Sequence, residues 1–202
     1  MLRRLREFLL DNGFARVCLA DMASWLHCSK ATLYGIAAGK KPLVAAVLGE
    51  FLSEAAVLAE QRTEHIAEPA KQLSAYLIAI GDEAGRMSPA CYADVASDDV
   101  IGAIYSGHVD SLARRLHRRI DQGMRAGDFR LANARFLAEA AALITDANAQ
   151  GDLPSRAGLT AADAQFQLSE LMAATLSNTA YRQKGNEHAR PTSGSGMVQA
   201  NR

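Results

Sequence analysis

Residues 14 to 40, FARVCLADMASWLHCSKATLYGIAAGK, set two short amphipathic helices around a tight turn, and few folds accommodate that arrangement. Leu19, Met22, Ala23 and Leu26 recur at the i, i+3, i+4, i+7 spacing that lines one helical face. His27-Cys28-Ser29 breaks the pattern and places Ser29 to cap a second helix starting at Lys30. That helix, KATLYG, has Leu33 to pack inward and carries Lys30, Ala31, Thr32 and Tyr34 outward. Small and polar groups on so short a helix can enter a DNA major groove without steric conflict. The segment reads as a helix-turn-helix.

Helical signals continue on both sides of it. Leu2, Leu5, Phe8 and Leu9 form the inward stripe of a first helix running to Asn12, with Gly13 as its C-cap. Pro42 falls in the first turn of a long helix from about Lys41 to Ile66, where its missing N–H matters little. Glu68-Pro69, Ser88-Pro89 and Asp98-Asp99 each restart a helix, the third running to Ala126-Gly127. Residues 132 to 149 and 160 to 183 supply two more, joined by a Gly151-Asp-Leu-Pro-Ser loop. The sum is an all-α fold of about nine helices, a three-helix head on a larger helical body. Expected divisions are 1–47 for the head, 48–184 for the body and 185–202 for a polar, disordered tail.

Charge sharpens this division. The 202 residues carry 22 basic and 22 acidic side chains, yet residues 1 to 50 hold seven basic against four acidic. A basic head and an acidic body fit a DNA-facing end and a partner or ligand end. Three cysteines without metal-ligand spacing fit free thiols in a reducing cytoplasm. No apolar run is expected to reach the ~18 residues of a membrane span. The opening MLRRLREFLLDNG is interrupted by Glu7 and Asp11 and reads as a cytoplasmic helix, not a secretory leader.

The stretch LADMASWLHCSKATLYGIAAGKKPLVAAVL, with Gly13-Phe14 before it, resembles the DNA-binding domain of the tetracycline-repressor (TetR) family of transcriptional regulators. The resemblance covers residues 2 to 52. It implies that Ser29, Lys30, Ala31, Thr32, Tyr34, Gly35 and Lys40 face DNA. The hydroxyls of Ser29, Thr32 and Tyr34 would donate to phosphate oxygens, Gly35 would permit close approach, and Lys40 would add charge beside a helix N-terminus. Lys30 is the candidate for a guanine contact, and Trp25 is expected in the core of the head. The resemblance also implies an effector pocket in the body, with Met87, Cys91, Tyr92, Tyr105 and His108 as candidates, leaning toward an uncharged apolar or aromatic molecule.

The last two long helices have broad apolar faces able to pair with a second copy in a four-helix bundle, and this pair is the dimer interface in proteins resembling TetR. The candidates are Phe136, Ala140, Ile144, Leu168, Leu171, Met172, Thr175, Leu176 and Thr179. Arg114, Arg115, Arg118 and Arg119 are expected to make one solvated stripe. The five histidines show no HExxH spacing, and no phosphate loop or nucleophile elbow is present, so no enzyme, metal or cofactor is expected. The resulting expectation is a cytoplasmic, homodimeric repressor on a near-palindromic operator, modulated by a small-molecule effector. Ala37 stands where the family usually has Phe, and Cys18 where it has Thr, which removes a helix cap. They leave open a second reading, a dimeric small-molecule-binding or interaction protein with a weakened head.

Overall fold

The computed structural model describes residues 1–178, and within them the chain forms ten α-helices and no strands. The first three are α1 (Leu2–Asn12), α2 (Leu19–Trp25) and α3 (Lys30–Tyr34). Then come α4 (Lys40–Thr63), α5 (Pro69–Ala84), α6 (Pro89–Ser97) and α7 (Asp99–Ala126). The series closes with α8 (Ala134–Gln150), α9 (Asp152–Ala157) and α10 (Ala161–Leu176). The boundaries fall where the capping chemistry puts them. Ser88 accepts from the Cys91 amide, and Asp98 from those of Val100 and Ile101. Asn133 accepts from Phe136 and Thr160 from Asp163, so each cap satisfies amides that the first turn cannot pair.

Two apolar clusters hold these helices. The first gathers Leu5, Leu9, Met22, Leu26 and Leu33 from α1 to α3 and runs on without a break through Val47, Phe51, Cys91, Tyr92 and Ile101. The expected 47/48 division thus falls inside a shared core. The second joins the far end of α4 to α5, α7, α8 and α10 around Tyr76, Leu77, Leu116, Ile120 and Leu168. There, α7 packs on α8 and α4, and α10 on α5 and α8.

Three expectations need correction. The expected Gly151–Ser155 loop contains a helix, α9, bracketed by left-handed glycines at 151 and 158. The last helix ends at Leu176 and not near residue 183, because the loop after α7 captures its final carbonyls. Arg130 Nε donates to Thr175 O, the Arg130 amide donates to Leu176 O at 3.0 Å, and Phe129 bridges to Ser177. Finally, α4 is long and apolar enough to cross a membrane by length and composition, with a mean hydropathy of 1.7 over its most apolar window. Half of that window is buried in the fold, as expected of a helix that serves both clusters. The expected tail at 185–202 and Thr179 lie outside the described residues.

Candidate nucleic-acid interface and body cavity

The candidate DNA-facing residues of α3 lie around one buried anchor. Leu33 is 1% exposed and anchors α3, while Lys30, Ala31, Thr32, Tyr34 and Gly35 are all exposed. The Ser29 hydroxyl accepts from the Thr32 amide at 3.1 Å and lies 2.9 Å from the Thr32 hydroxyl, fixing both across the first turn. Lys40 is half-buried, and its amine donates to Ala15 O at 3.0 Å, so it ties the α1–α2 loop to the start of α4. Cys18 does not leave α2 uncapped: its amide donates to the Asp21 carboxylate at 2.8 Å, and the Cys18 thiol and amide together hold Asp21 below the usual carboxylate range. Ala37 is half-buried against the first apolar cluster. Trp25 is not core but 37% exposed, its ring 4.8 Å from that of Phe8 and its face under Arg4 at 5.3 Å.

One element joins the head to the body. At the start of α6, the Ser88 amide donates to Leu10 O at 2.8 Å. In its middle, the Asp94 carboxylate accepts from the amides of Phe14 and of Ala15, the latter at 2.7 Å. At its end, Asp98 pairs with Lys41 at 2.7 Å, a contact that lowers the Asp98 pKa. Gly13 is obligatory at this junction. Its φ of 73° is left-handed, and a Cβ there would lie 2.4 Å from the Asp94 oxygen. Sequence reasoning missed Asp94, because nothing local in α6 announces a partner eighty residues earlier.

Of the five effector candidates, Met87, Tyr92, Tyr105 and His108 converge on one cavity of about 20 Å³, closed by Phe51, Ile80 and the buried Glu83. Tyr92 and Tyr105 meet edge to face with centroids 5.8 Å apart. The Tyr92 hydroxyl donates to Ala84 O at 2.9 Å, and the Tyr105 hydroxyl to Asp146 at 2.6 Å. Burial, with the Arg115 charge adding to it, pushes the His108 pKa down to about 4. Cys91 does not line this cavity. It is 0% exposed in the first cluster, and burial pushes its thiol up to about 12, the state of a packing residue and not of a nucleophile.

Glu83, also missed, is only 5% exposed at its side chain and accepts from Arg62 at 3.1 Å and Arg86 at 2.9 Å. The expected stripe of four arginines splits. Arg114 and Arg118 are exposed, but Arg115 and Arg119 turn into the α4–α7 seam and share Glu60, and Arg119 lies 4.0 Å from the Tyr76 ring centroid. No group of three or more His, Cys, Asp or Glu able to hold a metal ion occurs among the described residues.

The residues expected to pair with a second copy divide between the chain's own core and its surface. Leu168, Met172 and Leu176 are buried at 3%, 4% and 0% in the chain's own second cluster, packed on α5 and α8, so they are core. Ala140, Ile144 and Thr175 are half-buried. The apolar side chains left outward are Phe136 and Leu143 on α8 and Phe166 and Leu171 on α10, exposed at 68%, 62%, 50% and 58%.

No family model and no curated protein matches the sequence. Solved structures do match in shape. A chain described as a transcriptional regulator from Saccharomonospora viridis, in complex with choline, matches with a TM-score of 0.73 at 18% identity, over 88% of this chain and 95% of that one. FadR from Bacillus subtilis, a transcriptional regulator in complex with stearoyl-CoA, gives 0.71 at 10% identity over 87% and 97%. A TetR-family transcriptional regulator from Agrobacterium tumefaciens gives 0.66 at 19% identity over 87% and 95%. With this helix order from the turn at His27 to the end of α10, the chain has the fold of the TetR-family transcriptional regulators.

Proposed function

We propose that this chain is a DNA-binding transcriptional regulator, acting as a homodimer in the cytoplasm and modulated by a small molecule held in its body. The observation that carries the reading is α3: a helix of five residues, anchored by Leu33 and capped by Ser29, with only small and polar groups facing outward. Two such helices in a symmetric dimer would meet successive major-groove faces of a near-palindromic operator, about 34–36 Å apart. The exposed Phe136, Leu143, Phe166 and Leu171 are the surface on which that dimer would form. Complexes with choline and with stearoyl-CoA among proteins of this fold support a body that takes small molecules. Repression relieved by the ligand is the proposed sense of regulation.

The route of coupling is α6. It adjoins the cavity through Tyr92, with Met87 just before its N-cap, and holds the head through Asp94 and its two capping residues, Ser88 and Asp98. A ligand that displaces Tyr92 moves α6, and the head moves with it. Affinity for the operator then changes by the ligand's preference for one arrangement over the other.

Fluorescence anisotropy with duplex DNA from upstream of the chain's own gene, at several salt concentrations and against a scrambled duplex, tests the reading. Tighter binding to the native duplex that weakens steeply with salt is expected. Lys40→Ala is expected to weaken binding to all sequences and to flatten the salt slope by about one. An unchanged slope removes Lys40 from the phosphate contacts. No binding even at low salt favours the alternative, a dimeric small-molecule binder with a disabled head.

A further inference from the structure

The small cavity has a neighbour. On the outer side of Tyr92 and Tyr105, a groove of about 390 Å³ runs between α6, α7 and α8. Both tyrosines line both spaces, so this edge-to-face pair is the partition between them. The two sides differ in chemistry. Inside, Phe51, Leu52, Ile80 and Met87 make a mostly apolar wall, with His108 and a Glu83 carboxylate already paired to Arg62 and Arg86. Outside, Asp99 and Asp146 face the groove, and no basic side chain lines it. Asp98 also borders the groove, but Lys41 already neutralises it. The basic residues of the neighbouring body are engaged elsewhere, Arg62 and Arg86 on Glu83, Arg115 and Arg119 on Glu60.

The Tyr105 ring is held across the partition by its hydroxyl's hydrogen bond to Asp146 and by its contact with Tyr92. If its ring swings aside, the two spaces join into one of the size that small molecules occupy, roughly 300–1,000 Å³. That swing removes the donor from a half-buried carboxylate, which is unfavourable unless the incoming molecule replaces it. A neutral apolar ligand leaves Asp146 without a partner, and an anion adds repulsion. A cation compensates the carboxylate and also finds two aromatic rings, whose faces attract positive charge.

We propose that the small molecule of this body is an organic cation, a quaternary or protonated amine carrying an apolar or aromatic portion. Its charged group sits between Asp146 and the Tyr92–Tyr105 pair, and its apolar portion enters the chamber toward Met87. This replaces the uncharged molecule expected from sequence. The inference rests on the regulator reading only for its consequence at the operator, since ligand binding is measured without DNA.

The test is calorimetric titration of the full chain with phenyltrimethylammonium and with tert-butylbenzene, which has the same shape and no charge. The cation is expected to bind at least tenfold more tightly, and Asp146→Asn to erase that preference. Tyr105→Phe keeps the ring and frees the carboxylate, so it is expected to tighten cation binding several-fold, a gain that a misfolded variant does not give. Equal affinity for the two probes, no binding of the cation at millimolar concentration, or a preference that survives Asp146→Asn overturns the proposal. A cation that binds as expected but leaves the operator complex unchanged counts against the coupling to DNA and not against the site.

Discussion

Protonation of His108 is resisted because the side chain is packed among Phe51, Met87 and two tyrosines, within reach of the Arg115 charge. The consequence for stability has a definite sign. Above pH 6.5 the imidazole is neutral in the folded and the unfolded chain alike. Between 6.5 and about 4 the unfolded chain takes up a proton that the folded chain does not, so stability falls as the pH falls through that window. The full difference approaches about 3 kcal/mol. Chemical denaturation at pH 7.5, 6 and 5 is expected to show a smaller decline for His108→Gln than for the unsubstituted chain, and parallel declines would remove His108 from the effect. Sequence reading named His108 and Tyr105 together as pocket candidates, and the two lie about one turn apart on the same helix face. It could not find Glu83 or Asp146, whose roles come from partners on other helices. At His27 the backbone enters the left-handed region at φ 54°, the only non-glycine among the described residues to do so. Histidine tolerates that region better than a β-branched residue would, which is why the turn forms without the glycine a sequence reader looks for.

Helices α8 and α10 each have two apolar faces, one spent on the chain's own core and one left outward. Periodicity reveals that both faces exist but not which neighbour claims them, and this is why Leu168, Met172 and Leu176 read as interface while Leu143 and Phe166 went unselected. The two faces separate by substitution. Leu171→Glu, on the outward side, is expected to lower the mass measured by analytical ultracentrifugation to that of one chain while helicity is retained. Leu168→Ala, on the inward side, is expected to lower unfolding stability by about 2–5 kcal/mol and to leave the association state of the folded fraction unchanged. A Leu171→Glu protein that still sediments as a dimer would place the interface elsewhere. The end of α10 was illegible for a related reason. Its sequence continues to look helical past Leu176, but Arg130 and Phe129, far away in the chain, take the carbonyls and the strand-like pairing that stop it.

Across the whole molecule, the first apolar cluster is the feature that composition and charge could not foretell. A basic head and an acidic body suggest two parts, yet Leu9, Leu33, Phe51, Tyr92 and Ile101 belong to one packed interior. Differential scanning calorimetry is therefore expected to give a single transition for head and body together, and two resolved transitions would show that they melt separately. Much of the overall architecture could be read from caps and periodicity, because five of the ten helix starts are written locally in Ser29, Ser88, Asp98, Asn133 and Thr160. The bond between Asp94 and the loop after Gly13 was not written locally, and it ties α6 to the head. It also bears on exchange between proteins. The head of this chain is not a cassette: grafted alone onto another body, it would expose the inner sides of Leu9 and Leu33 and leave two amides after Gly13 without an acceptor. A working chimera has to carry α6 and the first half of α4 along with the three helices that read as the head.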